Sequence, residues 1–270
     1  MVDPTPISLK ERASFVYLER GNIGVENGCL CFNNSETHNG KIPIGAITCL
    51  MIGPGTQISH AAIALASRVG CLITWVGESG VKLYSAGVSN RYLSDHLLTQ
   101  AKFALDEKLR SQVVRNMYSF RYKEKISLDY TIDQMRGVEG IKVKDIYAEL
   151  SKKYNIEWNG RCNHITWKDN DIINRCISSA NACLYGICET AILAAGYSTA
   201  IGFVHTGQQK SFVYDIADLF KFDTVVPIAF QVASQRSDNY EKDVRNVCKE
   251  CFRNTDLLKI VIPTIDGCFQ

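Results

Sequence analysis

Short apolar runs separated by turn residues occupy the first ninety positions of the chain. Runs of this length, bounded by glycine, proline and asparagine, are typical of β-strands. The runs that predict strands lie at 15–18, 22–25, 29–32, 44–52, 71–76 and 81–84. Within this region Ser59 precedes an alanine-rich segment that ends at Gly70, a pattern that predicts one capped helix. We therefore expect a β-rich N-terminal region that contains a single helix.

From about residue 93 the apolar positions recur at helical spacing, with charged residues between them. The segments with this pattern lie at 93–122, 131–154, 171–195, 211–222 and 243–258. The change in pattern predicts an α+β protein with two domains. We expect a β-rich domain over 1–86, a linker over 87–92 and a larger all-helical domain over 93–270.

The composition is that of an ordinary folded protein, with 46% hydrophobic and 21% charged residues among 270. The longest uncharged stretch, 42–67, is interrupted by Gly53, Pro54 and Gly55, so no membrane span is expected. The first residues lack the basic-then-apolar pattern of a secretory signal, which predicts a cytoplasmic protein without a membrane partner. The net charge is only +2, so nucleic-acid binding would depend on local basic patches.

Eleven cysteines could indicate a disulfide-bonded protein, but the number is odd and many of them lie in apolar surroundings. We expect buried reduced thiols that act as small hydrophobic side chains. Cys248 and Cys251 are the one close pair worth testing for metal binding, and no second pair at zinc-binding spacing follows them. A structural role is therefore the preferred interpretation of this pair, and zinc binding is the alternative.

A basic run lies between residues 108 and 125, where six basic residues accompany one acidic residue, Glu124. The basic residues are Lys108, Arg110, Arg115, Arg121, Lys123 and Lys125. Such a run forms either a solvated helix face or a stripe that follows nucleic-acid phosphates. Composition does not choose between these two interpretations.

Two aspartates three residues apart are the first candidates for chemistry. Asp215 and Asp218 share one helix face among apolar neighbours, where two carboxylates repel unless a cation or a proton relieves them. The alternative is that they form salt bridges with Lys210 or Lys221. His205 stands ten residues before Asp215 at the end of an apolar run. Both a shared site with the aspartates and a structural hydrogen-bonded histidine are consistent with that position.

Glu139 is a third candidate, because it lies between Gly137 and Gly140 in a helical pattern. Glycine costs about 1 kcal/mol in a helix interior, so these glycines predict close approach of another backbone or a ligand, with a helix break as the alternative. Glu139, His205 and the two aspartates form a mixed donor set that suits Mg²⁺ or Mn²⁺. No Walker or dinucleotide-binding glycine motif is present, so we expect metal-dependent phosphodiester chemistry without nucleotide hydrolysis.

Several longer segments are more specific than any single residue. They are Pro54-Gly55-Thr56-x-x-Ser59-His60-Ala61-Ala62, Trp75-Val76-Gly77-Glu78, Gln100-Ala101-Lys102-x-Ala104-Leu105-Asp106, Arg136-Gly137-Val138-Glu139-Gly140, Ala194-Ala195-Gly196-Tyr197, Gly202-Phe203-Val204-His205-Thr206-Gly207 and Phe212-Val213-Tyr214-Asp215-Ile216-Ala217-Asp218. In this order they resemble the CRISPR spacer-acquisition integrases, the universal metal-dependent adaptation subunit, in its subtype I-E form. The likeness runs from about residue 12 to residue 265.

The resemblance implies a fold, an assembly and a site. It implies an N-terminal β-sandwich-like domain used for dimerisation, followed by an all-helical catalytic domain. It also implies a homodimer, with two dimers flanking a dimer of a small ferredoxin-like adaptor, alone or fused to an exonuclease. Glu139, His205 and Asp218 fall on the family's metal ligands for Mg²⁺ or Mn²⁺. Asp215 falls on the neighbouring acidic position, which supports those ligands.

The implied reaction is a transesterification at a DNA endonuclease-type site. The 3′-hydroxyl of a captured protospacer DNA attacks the CRISPR repeat boundary and inserts a new spacer without ATP. Arg136 and Lys221 match basic positions near the site, where they contact DNA phosphates. Lys82 and Tyr185 also match positions of DNA contact, and a core aromatic role is the alternative for Tyr185.

The chain departs from some members of that family at several positions. Arg20 replaces a tyrosine that splays DNA ends, and Asn163 and Gln208 replace a tyrosine and a lysine that help select fragments beside a protospacer-adjacent motif. The chain also stops at Gln270, without the C-terminal tail of some relatives. We therefore expect motif selection and trimming to fall to a partner or an exonuclease.

Two other functions fit the same residues. A metal-dependent nuclease on branched DNA in repair would use the same site with water as the nucleophile. A structural subunit would bind DNA or protein through its basic helices without chemistry, and it would leave the acidic pair unexplained.

Overall fold

The computed structural model of the protein describes residues 13–34, 40–80, 82–87, 94–161 and 171–270. In these ranges the strands are β1 (Ala13–Leu18), β2 (Asn22–Glu26), β3 (Cys29–Asn33), β4 (Gly40–Ile42), β5 (Ile47–Ile52), β6 (Gln57–Ile58), β7 (Leu72–Val76) and β8 (Leu83–Gly87). The helices are α1 (His60–Val69), α2 (Asp95–Leu105), α3 (Glu107–Tyr122), α4 (Ile132–Tyr154), α5 (Ile172–Ala194), α6 (Ser211–Phe220), α7 (Val225–Ser234), α8 (Tyr240–Asn254) and α9 (Leu257–Cys268). The expected α+β class, with strands first and helices after, is confirmed.

The strands form two four-stranded sheets. In the first, of order β1-β5-β7-β8, the strands β1, β5 and β7 are parallel and β8 runs antiparallel to β7. In the second, of order β4-β3-β2-β6, the first three strands are antiparallel and β6 runs parallel to β2. Every residue of β5 is buried, as a continuous apolar run in a central strand predicts.

One hydrophobic core contains residues from both sheets and from α1. Ile23 and Leu30 of the second sheet pack in it with Leu50 and Ile73 of the first and Ala66 of α1. The helix α1 begins and ends as the sequence predicts. The Ser59 side chain accepts a hydrogen bond from the backbone of Ala62, and Gly70 adopts a left-handed conformation. The two sheets therefore share a core, while their finer sandwich-like packing stays a prediction.

A second and larger core surrounds α5. This is the one described helix that is long and apolar enough to cross a membrane, and 67% of its apolar window is buried inside the fold. It packs against α6, α7 and α8, so it is the central helix of the core. Cys49 and Met51 of β5 join this core from the sheet side, so the strand and helix regions are packed against each other.

Two predicted helices have other bounds in the structure, and one helix of the structure was not predicted. The predicted helix over 93–122 is two helices, because the Asp106 carboxylate accepts bonds from the backbone of Lys108 and Leu109 and starts α3. The predicted helix over 243–258 ends earlier, at Asn254, and α9 follows Asp256, whose φ is 48°. The prediction missed α7, because a helix buried on nearly all sides has no amphipathic period.

The predicted linker falls between β8, which ends at Gly87, and α2, which begins at Asp95. Its positions 88–92 lie outside the described residues. The proposed division into domains over 1–86 and 93–270 therefore stays a prediction.

The ten described cysteines are free thiols, and eight of them are buried. Cys248 on α8 is buried beside Cys183 of α5, and burial together with the Cys183 hydrogen bond raises the pKa of its thiol. Cys251 is half-buried on the same helix. Among the described residues no group of three or more His, Cys, Asp or Glu side chains is arranged to hold a metal ion, Cys248 and Cys251 included. The burial of Cys248 is consistent with a structural role for that residue.

A glycine on α5 makes the tightest contact between the strand and helix regions. A Cβ at Gly186 would lie 2.6 Å from the amide nitrogen of Lys82 and 3.0 Å from its Cα. The glycine therefore lets α5 approach the start of β8 and sets Lys82 beside Tyr185. Gly137 and Gly140 are different, since a Cβ at either would meet no described atom within 4 Å. The helix α4 continues unbroken through both, so neither a helix break nor a close backbone explains them.

We expect Gly186→Ala to lower the free energy of unfolding by about 2 kcal/mol, because the new methyl group has no space beside the Lys82 backbone. Gly140→Ala is the control on an open helix face, and it should raise that free energy by about 0.5–1 kcal/mol. Urea denaturation followed by circular dichroism measures both. Equal effects of the two substitutions would contradict the proposed contact.

Candidate active site

The carboxylate of Asp215 organises the loop that carries His205. Asp215 lies on α6 with its side chain fully buried. Its two oxygens accept backbone hydrogen bonds from Phe203 at 2.5 Å, from Val204 at 3.1 Å and from His205 at 2.8 Å. A buried carboxylate requires such donors, and three successive amides supply them. Asp215 therefore fixes the backbone of the loop and has little capacity left to bind anything else.

Asp215 also orients the imidazole of His205. The Nδ1 atom of His205 lies 2.8 Å from Oδ1 of Asp215, and this hydrogen bond raises the pKa of the imidazole above its usual value. The ring edge also packs against Tyr214, with 5.8 Å between the ring centroids. When Nδ1 donates to a carboxylate, Nε2 carries the lone pair and is the nitrogen available to a metal or a substrate.

Two polar side chains from α2 and α3 hold the same loop from outside. Gln100 is completely buried, donates to the carbonyls of Ser198 and Ile201, and accepts from the backbone of Ser198. Arg110 donates two hydrogen bonds to the Phe203 carbonyl, at 2.8 and 2.9 Å. The loop is thus bonded on both sides, and the position of His205 depends on residues a hundred positions away in sequence.

Gly202 allows the tight turn at the start of this loop. A Cβ there would lie 2.8 Å from Cβ of Ser211 and against the carbonyl oxygen of His205. Ser211 is buried, and its hydroxyl accepts a hydrogen bond from the backbone of Gln208. Gly202 is therefore required because no side chain fits at that position.

Asp218 lies one turn beyond Asp215 on α6 and has a different environment. Its side chain is 19% exposed, and its described partner is the Lys221 ammonium at 3.4 Å. This pair confirms one of the two salt bridges considered for the aspartates, while Lys210 pairs with Glu189 at 2.7 Å instead. The long distance to Lys221 leaves Asp218 able to accept another ligand.

Glu139 reaches the same place from α4. Its Oε1 atom lies 2.5 Å from Nη1 of Arg121, and its Oε2 atom accepts a hydrogen bond of 2.6 Å from the Tyr118 hydroxyl. Burial and the bond to Glu139 raise the pKa of Tyr118. Both oxygens of Glu139 are therefore engaged by residues of α3.

A small cavity of about 20 Å³, large enough for about one water molecule, brings the four predicted site residues together. Its lining consists of Met117, Tyr118, Arg121, Glu139, Val204, His205, Asp215, Asp218 and Leu219. The donor types fit a divalent ion, since three carboxylates and one imidazole are among the side chains of the lining. As they stand, however, no three such groups in the described chain are arranged around an ion position.

Four residues were predicted to contact DNA, and none of them is among the residues that line this cavity. Lys221 ends α6 beside Asp218, and Arg136 is exposed on α4, one turn before Glu139. Lys82 is exposed at the start of β8, with its backbone against Gly186 next to Tyr185. Lys221 thus lies beside an acidic residue of the cavity, while the DNA contacts of all four residues stay predictions.

Tyr185 is half-buried, and burial raises the pKa of its hydroxyl. Its ring packs edge-on against Tyr214, with 5.1 Å between centroids, and Tyr214 in turn packs on His205. Both interpretations of Tyr185 stay open at this point, because the ring belongs to the core and also borders the site.

The basic run over 108–125 does not form one surface stripe. The Arg121 side chain is only 7% exposed, and the Arg110 side chain is committed to the Phe203 carbonyl. Lys108 and Lys125 are exposed. The interpretation as a continuous phosphate-binding stripe is therefore wrong for the residues that face inward.

Of the three departures from the family, two lie in the described chain. Arg20 is exposed with a φ of 56°, and Gln208 is exposed beside the loop of His205. Asn163 lies outside the described residues.

Sequence reasoning missed four residues that hold the site, namely Arg121, Tyr118, Arg110 and Gln100. Three of them lie on α3, whose helical spacing marks an apolar face but does not show which polar residues turn inward. Gln100 belongs to one of the family segments, which was the single signal available for it.

The chain is similar to known proteins of one family. A family model described as CRISPR associated protein Cas1 matches residues 119–266, more than half of the chain. The chain belongs to the Cas1 family. The resemblance found in the sequence is thereby confirmed, and the match includes Glu139, His205, Asp215 and Asp218.

Curated relatives extend the likeness to nearly the whole chain. The Geobacter sulfurreducens protein named CRISPR-associated endonuclease Cas1 is 48% identical over 262 residues, covering 97% of this chain and 86% of the relative. The Escherichia coli protein of the same name is also 48% identical over 262 residues, with the same coverage, which supports the subtype I-E form of Cas1. A solved structure described as a TtCas1–DNA complex has a TM-score of 0.89 at 32% identity, covering 98% of this chain and 99% of that one.

The two aspartates of this Cas1 site should respond differently to loss of charge. We expect Asp215→Asn to lower the free energy of unfolding by about 2–4 kcal/mol, because the amide accepts fewer of the four bonds and places its own donors against backbone N–H groups. Asp218→Asn is the matched control and should cost less than about 1 kcal/mol, since it loses only a long contact to Lys221.

Chemical denaturation of both variants measures the difference. If Asp215→Asn were as stable as Asp218→Asn, Asp215 would not be the residue that organises the loop.

Proposed function

We propose that the protein is a CRISPR adaptation integrase with a DNA endonuclease-type site, which inserts protospacer DNA at the CRISPR repeat boundary. The observation that carries the proposal is the convergence of Glu139, His205 and Asp218 on one cavity, with Asp215 bonded behind the histidine. The relatives named CRISPR-associated endonucleases and the relative described in complex with DNA support the same class of substrate.

Mg²⁺ or Mn²⁺ would be held by the oxygens of Glu139 and Asp218 and by Nε2 of His205. Such an ion polarises the phosphoryl group and stabilises the oxygen that leaves. Asp215 would keep the His205 ring in the tautomer that presents Nε2. Loss of a hydrogen-bond partner of this kind typically lowers the affinity of a site for its metal by roughly 10- to 100-fold. The chain itself thus supplies the ligands and their orientation.

Lys221 and Arg136 would contact DNA phosphates and place the strand over the cavity. In the proposed transesterification the 3′-hydroxyl oxygen of the protospacer forms one P–O bond and the repeat strand loses one. The released oxygen takes a proton and becomes the new 3′-hydroxyl. The number of phosphodiester bonds is conserved, so the reaction needs no ATP.

The proposed assembly follows the resemblance. Two homodimers would flank a ferredoxin-like adaptor dimer and hold protospacer and repeat DNA between them. Lys82 and Tyr185 would add further DNA contacts, and the backbone of Lys82 packs against Gly186, the residue after Tyr185 on α5. The chain has Arg20 and Gln208 where some relatives have residues that fork DNA ends and select the adjacent motif. We infer that other residues, or a partner protein, perform these two tasks.

The second candidate is a metal-dependent nuclease on branched DNA, which the word endonuclease in the relatives' names favours. It uses the same ligands with water in place of the 3′-hydroxyl. The products separate the two: a larger joined strand requires hydroxyl attack, and shortened strands alone require hydrolysis. A subunit without chemistry would give neither product.

We expect Asp218→Ala to reduce strand joining by at least about a hundredfold, because it removes an oxygen ligand from the reacting centre. Binding of the duplex should persist, since the basic contacts remain. Asp223→Ala is the control, because Asp223 is an exposed acid of the same region and pairs with Lys123 at 3.8 Å. It should join DNA as the unchanged protein does.

The assay combines a short duplex bearing free 3′-hydroxyls, a supercoiled plasmid with a CRISPR repeat, the adaptor protein and Mn²⁺, with and without chelator. Joined, relaxed plasmid that requires the ion and Asp218 supports the proposal. Joining that persists with chelator, or in the Asp218→Ala protein, contradicts the metal-site assignment.

A further inference from the structure

The carboxylate of Glu139 has no oxygen to spare. Arg121 takes Oε1 at 2.5 Å and the Tyr118 hydroxyl takes Oε2 at 2.6 Å. A divalent ion can therefore use Glu139 only by sharing or replacing one of these partners. The neutral hydroxyl of Tyr118 can rotate away at little cost. The guanidinium of Arg121 carries a full positive charge, so it competes directly with a metal cation for the carboxylate of Glu139.

Arg121 is held firmly in place. Its side chain is 7% exposed, and the guanidinium carbon lies 5.3 Å from the ring centroid of Tyr122 and 5.0 Å from that of Phe222. Within the described chain its buried Nε atom has no hydrogen-bond partner. A planar cation between two rings keeps its position, so Glu139, 20% exposed on α4, is the partner that can turn away.

The charges around the cavity show why this cation matters. Glu139, Asp215 and Asp218 are three acidic side chains in the same lining, and Arg121 is the one side chain in that lining that is positively charged at any ordinary pH. Three carboxylates so close together would repel strongly without a compensating charge. Arg121 supplies that charge in the protein as described, at the carboxylate that is also the proposed ligand.

We propose that Arg121 is a resident counter-cation of the site, which holds Glu139 while no divalent ion is bound and competes with the ion for the same carboxylate. The inference rests on the proposed metal site. The affinity for the ion is then the result of an exchange between two cations.

Removing the competitor should tighten ion binding. We expect Arg121→Met to bind Mn²⁺ about tenfold more tightly than the unchanged protein, because a unit charge a few ångströms away opposes the ion in partly buried surroundings. Arg121→Lys keeps the charge and should stay near the unchanged affinity. Lys123→Met is the matched control, since Lys123 is exposed two residues beyond Arg121 and pairs with Asp223 at 3.8 Å, not with a proposed ligand.

Electron paramagnetic resonance of free Mn²⁺ during a titration gives these affinities without any measurement of activity. Tighter binding in Arg121→Met than in Lys123→Met supports the inference, and unchanged or weaker binding overturns it. Glu139→Gln distinguishes failure of the proposed metal site from failure of the inference about Arg121. If Glu139→Gln does not weaken Mn²⁺ binding, the proposed metal site itself fails.

A second measurement on the unchanged protein keeps the test decisive if Arg121→Met does not fold. The Nε–H group of a buried arginine gives a resolved nitrogen resonance, and the Arg121 signal is identified by its shift in Glu139→Gln. We expect Mg²⁺ to move that signal as it saturates the site, because the ion takes Glu139 away from the guanidinium. A signal that stays in place at saturation overturns the inference.

Discussion

The buried carboxylate of Asp215 is the interaction on which the candidate site depends. It gathers three successive backbone amides and the Nδ1 atom of His205, so one side chain on α6 fixes both the course of the loop and the orientation of the imidazole. Such a carboxylate is stable in the core only while its donors stay in place. Gln100 and Arg110 hold the loop from α2 and α3, which keeps those donors where the carboxylate needs them.

Charge balance is the second constraint on the site. The acids that would hold a metal ion sit beside Arg121 in the core and beside Lys221 at its edge. An acidic cavity of this kind can fold without an ion because the protein carries its own cation. In the proposed metal site the same cation would oppose the ion, and the stability of the free protein and its affinity for the metal would then be linked through Glu139.

The sequence predicted the parts of the structure whose causes are local. Ser59 and Gly70 bracket α1 because capping acts within one turn, whereas α7 was missed because burial on nearly all sides erases its period. Family segments located Glu139, His205 and Asp218, but nothing in them separates the burial of Asp215 from the partial exposure of Asp218. Arg121 was hidden in a basic run, because only tertiary packing decides which cation of a helix turns inward.

The central claim is that Glu139, His205 and Asp218 hold one divalent ion with Asp215 behind them. Diffraction from crystals soaked in Mn²⁺, recorded near the manganese absorption edge, tests it most directly. We expect a single anomalous peak, coordinated by carboxylate oxygens of Glu139 and Asp218 and by Nε2 of His205. A peak coordinated by Asp215, or no peak in this cavity at saturating Mn²⁺, would contradict it.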